Sequence, residues 1–393
     1  MEDQVNEEEV KKEQAENMPE EKKEEEKKEE EKKEEEKKEE KKEEEKKEDE
    51  NPKYIITDEV IGNGTFGVYY LAKDVNDENI LYAAKEIDIK KEGLTTLENE
   101  IKINREYNHD NLVKFYGEYK QNGKCYLIFE YCNGGSLTSN YEKFFNKFGN
   151  PFSERIVQKV LRDVFKGLYY LHRNNIVHND IKLGNILVQF NNENDKKNLN
   201  LYSAKYKISP SCFSKKGSYF PELFNSLEYL PPCKLEHIIN EQNINNFSID
   251  IWECGILTFK ILFNRNPFLY FSSKKEEEKI QKQPRDTMKL IMENFKKGDY
   301  YIDLIKEYCG EISKEILVLF SQILKKDQNA RIPIEKCLKS KFIVRNVSKF
   351  TMISSKDFPE KLPSEMIENE KIKLNINNTN DLTDYTEFEE FKK

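Results

Sequence analysis

At 393 residues the chain is long enough for two lobes with sizeable cores plus tails. Its formal net charge of -9 argues against nucleic acid as a general partner, because counterion release needs a basic face and no basic stripe interleaved with aromatics is visible along the sequence. Seven cysteines without a CxxC pair suggest neither a disulfide framework nor a zinc site, and with no signal-peptide-like start and no long charge-free apolar run, a soluble, cytoplasmic protein with reduced thiols and no membrane partner is expected.

Residues 1–51 are almost entirely Glu and Lys, repeating Glu-Glu-Glu-Lys-Lys blocks from about Glu20 to Glu50. Many Glu find a Lys three or four places on, yet nothing apolar is available to bury, so this is a charged helix, a coiled coil or a disordered low-complexity segment. As a function it offers a spacer, a contact with a basic partner or a solubilising tail. Pro52 marks a change of character. The run Tyr54 to Ile61, the stretch Gly62-Asn63-Gly64-Thr65-Phe66-Gly67-Val68 and the apolar run Tyr69 to Ala72 predict strand, glycine turn, strand. A strand rather than a helix after the glycines disfavours a dinucleotide fingerprint, while Gly62, Gly64 and Gly67 let backbone N–H groups approach phosphate oxygens closely. Ile80 to Ile87 is an apolar strand interrupted by Lys85, and a strand lysine ordinarily points to solvent. Leu94 to Tyr107 reads as a helix carrying Glu98 and Glu100. Strands at Leu112 to Tyr119 and Lys124 to Tyr131 meet at Asn122-Gly123, and the second runs into Cys132-Asn133-Gly134-Gly135.

Pro151 opens a long helix through Val160, Leu161, Val164, Leu168 and Leu171, apolar at helical spacing. Next, Ile176-Val177-His178-Asn179-Asp180-Ile181-Lys182-Leu183-Gly184-Asn185-Ile186 sets Asp180, Lys182 and Asn185 between two apolar runs, a pattern for a short polar loop leading into a strand. Such a loop suits a carboxylate that accepts a hydroxyl proton, a cation beside a transferred phosphoryl group and an amide that ligates Mg²⁺; Asp and Asn are also ordinary turn formers. Asn191 to Asn200 reads as a solvated loop, and the strand Tyr206-Lys207-Ile208 runs into Ser209-Pro210-Ser211-Cys212. Asp250-Ile251-Trp252-Glu253-Cys254-Gly255 begins a buried helix; Asn264 to Phe268, a Lys/Glu insertion near 272 to 285, and Asp327 to Pro333 follow. The polar end, Asp384-Tyr385-Thr386-Glu387-Phe388-Glu389-Glu390-Phe391, suits either an acidic-aromatic docking peptide or a loose terminus.

In order and spacing these segments resemble the protein kinase family, Ser/Thr type, over about Tyr54 to Val344. The resemblance implies an α+β bilobal fold, with a small antiparallel-sheet N-lobe (52–131) and a larger helical C-lobe (132–345) in a domain at 52–345, between the segment 1–51 and a polar tail at 346–393. It implies ATP in the inter-lobe cleft, a protein substrate or regulatory protein partner, and a signalling role. The phosphates would lie under Gly62, Gly64 and Gly67; Lys85 would pair with the α- and β-phosphates and with Glu100, Glu98 being the competing choice. Val68 and Ala83 would pack on the adenine, Ile61 and Leu187 would complete the nucleotide-binding residues, and Phe129 would be the gatekeeper. Backbone groups of Glu130 and Cys132 would bond the adenine edge. Asp180 and Lys182 would be catalytic, Asn185 a metal ligand, and Asp250 would hold the loop backbone by hydrogen bonds.

The pattern breaks at the second metal ligand. Pro210, Ser211 and Cys212 stand where the resemblance expects Asp-Phe-Gly, after a gap swollen by Asn191 to Asn200, where Glu193 or Asp195 is the possible substitute. Mg²⁺ takes hard oxygen ligands, normally including carboxylates, so weak or absent Mg²⁺ binding is expected. Asn179 replaces the signature Arg, Cys233 replaces the Glu that would pair with Arg331, and Asn104 and Ser211 are polar where the family stacks apolar groups. The reading is therefore a pseudokinase-like protein with weak or absent phosphotransfer; the alternatives are an active Ser/Thr kinase with an unusual metal ligand, and a scaffold acting through its charged N-terminal segment.

Overall fold

The computed structural model describes residues 53–64, 67–87, 94–121, 124–210, 215–216, 227–234, 246–269, 290–291, 294 and 312–345. The Glu/Lys segment, the turn at 122–123, residues 211–214, the insertion near 272 to 285 and the polar tail lie outside them. The chain divides into two compact units, one made of the residues through Glu92 with Tyr116–Phe129, the other of Gly93–Phe115 and everything from Glu130.

The first unit is a five-stranded sheet in the order β1-β2-β3-β5-β4, from β1 (Tyr54–Gly64), β2 (Gly67–Asp74), β3 (Leu81–Glu86), β4 (Phe115–Gln121) and β5 (Lys124–Glu130). Strand β1 pairs antiparallel with β2 from Tyr54↔Asp74 to Gly64↔Gly67, its register shifting at Val60, and β2 pairs antiparallel with β3. One face packs on the small Ala72 and Ala84, which leave room for Tyr119, Tyr126 and Ile128 and for a ring of half-buried tyrosines. Tyr54 meets Tyr82 and Tyr119 edge to face at 5.0 Å and 5.3 Å, the arrangement ring quadrupoles favour.

The second unit holds α1 (Leu94–Arg105), α2 (Leu137–Phe148), α3 (Glu154–Arg173), the short β6 (Ile176–Val177), β7 (Ile186–Gln189), α4 (Glu193–Asn198), β8 (Lys205–Ile208), β9 (Lys215–Lys216), α5 (Asn246–Phe263), α6 (Lys314–Ile323), α7 (Ile334–Leu338) and α8 (Lys341–Val344). Helix α2 starts where Ser136 accepts from Ser139 N–H and stops at Gly149, which takes φ 71° and donates to Phe145 O. Helix α3 buries Val157, Val160, Leu161, Val164, Phe165, Leu168 and Leu171, each worth about 1.5 to 3 kcal/mol of transfer free energy. Helix α5 is buried along nearly its whole length, as an apolar run without a polar stripe requires. Gly255 keeps it tight against the next helix: a Cβ there would come within 2.5 Å of Leu324.

Local details differ from the sequence reading. The helix expected to reach Tyr107 ends at Arg105, and the strand expected from Leu112 starts at Phe115. Leu112 instead makes a parallel bridge with Ile208, because Val113 N–H donates to Ile208 O (2.9 Å) and Ile208 N–H to Asn111 O (2.9 Å). Asn191 to Asn200 is not a loop throughout. Asn192 caps the six-residue α4 by accepting from Asp195 N–H, one short turn stabilised by its cap rather than by propensity. The basic stripe that linear inspection misses is present on α3. Between Arg155 and Tyr170 every position not buried is a base or a tyrosine, namely 155, 159, 162, 166, 169 and 170. The bases stand three and four apart, so buried apolar residues separate them in sequence while the helix gathers them on one face.

Candidate active site

The loop after β6 is built on two carboxylates of α5. Asp250, fully buried, accepts from His178 N–H (3.0 Å), Asn179 N–H (2.8 Å) and His172 Nε2 (2.8 Å). Burial pushes its carboxyl up, but the hydrogen bond and charge of His172, with the bond from the His178 backbone N–H, outweigh this and hold it below its ordinary value. Glu253, one turn on and so on the same helix face, accepts from Ile181 N–H at 2.8 Å. Burial pushes Glu253 up to about 8, against the opposing charge of Lys234, whose Nζ stands 3.8 Å away. Tyr229 Oη accepts from Leu183 N–H at 3.4 Å. Asn179 sits at φ 67°, a left-handed conformation that Asn tolerates better than most residues.

This frame brings Asp180, Lys182 and Asn185 together. Lys182 Nζ is 2.9 Å from Asp180 Oδ2, and Asn185 Nδ2 donates to the same oxygen (2.7 Å) and to Asp180 O (2.8 Å). Asn185 closes the short 3-10 turn Leu183–Asn185 and leads into β7. His178 Nδ1 accepts from Asp180 N–H (3.3 Å), which leaves the ring proton on Nε2 to be donated to Ser209 O (2.9 Å).

The strand end beside the loop is equally fixed. Strand β8 pairs antiparallel with β7 from Ile186↔Ile208 to Gln189↔Lys205. Beyond the ladder, Ser209 N–H donates to Asn185 O at 2.8 Å, so Ser209 is pinned between Asn185 and His178 and Pro210 comes next. Glu193 and Asp195 lie on the connection at the opposite end of this hairpin, about 13 Å of strand away from Asn185. Asp195 is also taken, accepting from Asn200 Nδ2 (2.9 Å) and Ser203 Oγ (2.9 Å). The donors at the loop are one neutral amide oxygen and the Asp180 carboxylate, and among the described residues no group of three or more His, Cys, Asp or Glu could hold a metal ion.

The remaining candidates divide between the units. In the first, Lys85 on β3 is 3% exposed, so it does not point to solvent. It pairs with Tyr69, and Ala83 with Leu71. Ile61 and Val68 are half-buried beside the glycine turn, and Phe129 is buried on β5. Gly67 has a visible packing reason: a Cβ there would lie 2.4 Å from Glu86 O. Gly62 and Gly64 end β1, while Thr65 and Phe66 lie outside the described residues. Glu100 is on α1, but its side chain lies outside them, so the expected Lys85 pairing is not described; Glu98 is exposed. In the second unit, Glu130 N–H donates to Lys114 O (2.9 Å) and its carboxylate takes Lys207 Nζ (2.8 Å). Cys132 O accepts from Gly135 N–H (3.0 Å), and Leu187 is half-buried on β7. Arg331, whose expected Glu partner is replaced by Cys233, finds other partners. Its guanidinium donates to Ser248 O (2.6 Å) and Lys325 O (2.8 Å) and lies over Trp252 at 5.0 Å. Backbone carbonyls, which carry no sequence signal, stand in for the absent carboxylate.

The family model for the protein kinase domain matches residues 55–343. The chain belongs to the protein kinase domain family. The sheet unit and the helical unit are the N-lobe and C-lobe of its bilobal fold. Among similar proteins, serine/threonine-protein kinase Aurora-1 of Arabidopsis thaliana is 27% identical over 291 residues, 73% of this chain and 85% of the relative. Aurora kinase A-A of Xenopus laevis is 25% identical over 303 residues, 76% of this chain and 63% of the relative. Calcium-dependent protein kinase 5 of Plasmodium falciparum is 26% identical over 292 residues, 74% of this chain but 45% of the relative. The chain thus spans about half of one relative and under two thirds of another. Among the described residues no helix is long and apolar enough to cross a membrane.

Sequence reading missed Glu253, Tyr229 and the Lys207–Glu130 pair. Glu253 left a signal, an acid three residues after Asp250 in an otherwise apolar helix. The other contacts join residues far apart in the chain and left none.

Proposed function

We propose that the chain is a Ser/Thr-type kinase-family protein that binds ATP, transfers phosphate weakly or not at all, and acts as an intracellular, cytoplasmic regulator through protein partners. In this reading Gly62, Gly64, Gly67 and Lys85 hold the phosphates, Ile61, Val68, Ala83, Phe129 and Leu187 line the base, and Glu100 supports Lys85. The hinge bonds above use Glu130 N–H and Cys132 carbonyl, which supports the opposite groups, Glu130 carbonyl and Cys132 N–H, as the adenine contacts. Asp180, Lys182 and Asn185 keep the geometry of a catalytic loop. Residues 52–345 form the working domain, flanked by a charged spacer at 1–51 and a polar tail.

The observation that carries this reading is Pro210. With Ser209 bonded to both Asn185 and His178, the following residue is the one from which the family presents its metal-binding Asp, and Pro offers neither carboxylate nor N–H. Phosphoryl transfer is catalysed mainly by positioning and charge stabilisation, so the loss falls on the step itself rather than on nucleotide binding. The test is calorimetric titration with ATP, with and without Mg²⁺, beside a phosphotransfer assay controlled by Asp180→Asn. ATP binding that ignores Mg²⁺, with transfer no faster than in Asp180→Asn, is the expected result. Mg²⁺-dependent binding with Asp180-dependent turnover would sink the reading in favour of an active kinase.

A further inference from the structure

The half-buried basic face of α3 serves neither nucleotide nor catalytic loop. Arg155, Lys159, Arg162 and Lys166 stand on it at helical spacing, and Tyr202, 43% exposed, lies under the Arg155 guanidinium at 3.8 Å. The helix's own acids are turned inward. Asp163 engages Lys159 and Tyr206 N–H, and Glu154 accepts from Ser313 N–H. The local field is positive: a hydrogen bond from Arg155, with the charges of Arg155, Arg162 and Lys159 behind it, holds the Tyr202 hydroxyl below its ordinary value against the effect of burial. Such a face on a chain of net charge -9 calls for an acidic occupant.

The chain carries an acidic segment whose connection starts beside this face. Its last described residues dock on α3, where Arg162 donates to Ile343 O (2.6 Å) and Gln158 Nε2 to Arg345 O (2.5 Å). About 35 residues further on, the run from Asp381 to Phe391 holds Asp381, Asp384, Glu387, Glu389 and Glu390, with Tyr385, Phe388 and Phe391 spaced by three, and no base. A coil of that connecting length averages about 30 Å end to end, which matches the roughly 30 Å length of a 20-residue helix such as α3. The tether therefore supplies an effective concentration in the millimolar range for a contact that is weak between separate molecules.

We propose that the acidic-aromatic segment 381–391 docks in cis on the basic face of α3, its carboxylates on Arg155, Lys159, Arg162 and Lys166 and its aromatic side chains beside Tyr202. This goes beyond the nucleotide reading and does not depend on it. Zero-length carbodiimide cross-linking of the full chain, read by mass spectrometry, tests it. The expected links join Lys159 or Lys166 to Glu387, Glu389 or Glu390 within monomers, at a yield independent of protein concentration, and vanish near 1 M salt, where screening acts within about 3 Å. Arg155→Glu with Lys166→Glu should lower the yield about tenfold, and adding Glu387→Lys, Glu389→Lys and Glu390→Lys should restore linkage of the two segments. Absence of the links in the unaltered chain, links that form only between chains as concentration rises, or failure of the charge swap would overturn the proposal. So would a fluorescent oligonucleotide that binds through Arg155 and Lys166 while the segment stays unlinked, which assigns the face to nucleic acid.

Discussion

The loop at 178–185 and the strand end at Ser209–Pro210 are neighbours, joined by the bonds from Ser209 N–H to Asn185 O and from His178 Nε2 to Ser209 O. The loop is braced by Asp250 and Glu253 and keeps the family's Asp180, Lys182 and Asn185; the strand end keeps its backbone geometry but carries Pro where a carboxylate is expected. In the reading proposed above, the scaffold and the phosphotransfer chemistry rest on different side chains, which lets the two be tested separately. Buried carboxylates that satisfy loop N–H groups are retained because their loss leaves donors unpaired in the core, whereas a metal ligand facing the reaction carries no such penalty.

The largest effect should come from attacking the brace. Asp250→Ala leaves the His178 and Asn179 N–H groups and His172 without their acceptor, and should cost about 3 to 5 kcal/mol in denaturant unfolding. A loss below about 1 kcal/mol would show that Asp250 is not what holds the loop.

Glu253 should reveal itself through pH. Its folded value near 8 lies above its ordinary 4.5, so between these values the folded state holds a proton that the unfolded chain has lost. That contribution is fully present below about 4.5 and is lost as pH rises through about 8. Unfolding of Glu253→Gln should lack this fall; an identical pH profile in both proteins would reject the buried, protonated carboxyl.

At the strand end, Pro210→Asp should raise phosphotransfer about tenfold or more, equivalent to about 1.4 kcal/mol of barrier. Pro210→Ala controls for the freed φ and the restored N–H, and Asp180→Asn should abolish the gain. If Pro210→Asp brings neither Mg²⁺-dependent ATP binding nor transfer, the block lies elsewhere, most simply at Ser211 to Cys212.

The smallest effect concerns the first unit. Lys85→Ala should weaken ATP binding about threefold to tenfold by calorimetry, as expected for one charge-assisted contact. Equal affinity in the two proteins would remove Lys85 from the phosphate site.

That Asp180, Lys182 and Asn185 share one loop was legible because a short polar stretch between apolar runs brings its side chains together by local spacing; the burial of Lys85 was not, since a strand lysine ordinarily points to solvent. The brace was half legible: Asp250 follows from the family's order, whereas the Glu253 bond to Ile181 spans 72 residues. The partners of Arg331 were hidden because backbone oxygens look alike in every sequence. The basic face of α3 was hidden by its own periodicity, since each base stands among residues that point into the core.

The sequence by itself determined the strands, the long helices, the family and the absence of a carboxylate at position 210, because hydrophobic period, turn residues and motif order act over short stretches of chain. Tertiary structure alone decided that Ser209 is pinned between Asn185 and His178, how far Asp195 lies from Asn185, and that four bases spaced along the chain share one face of α3. The first two depend on segments brought together by the register of β7 with β8, and the third on the turn of the helix.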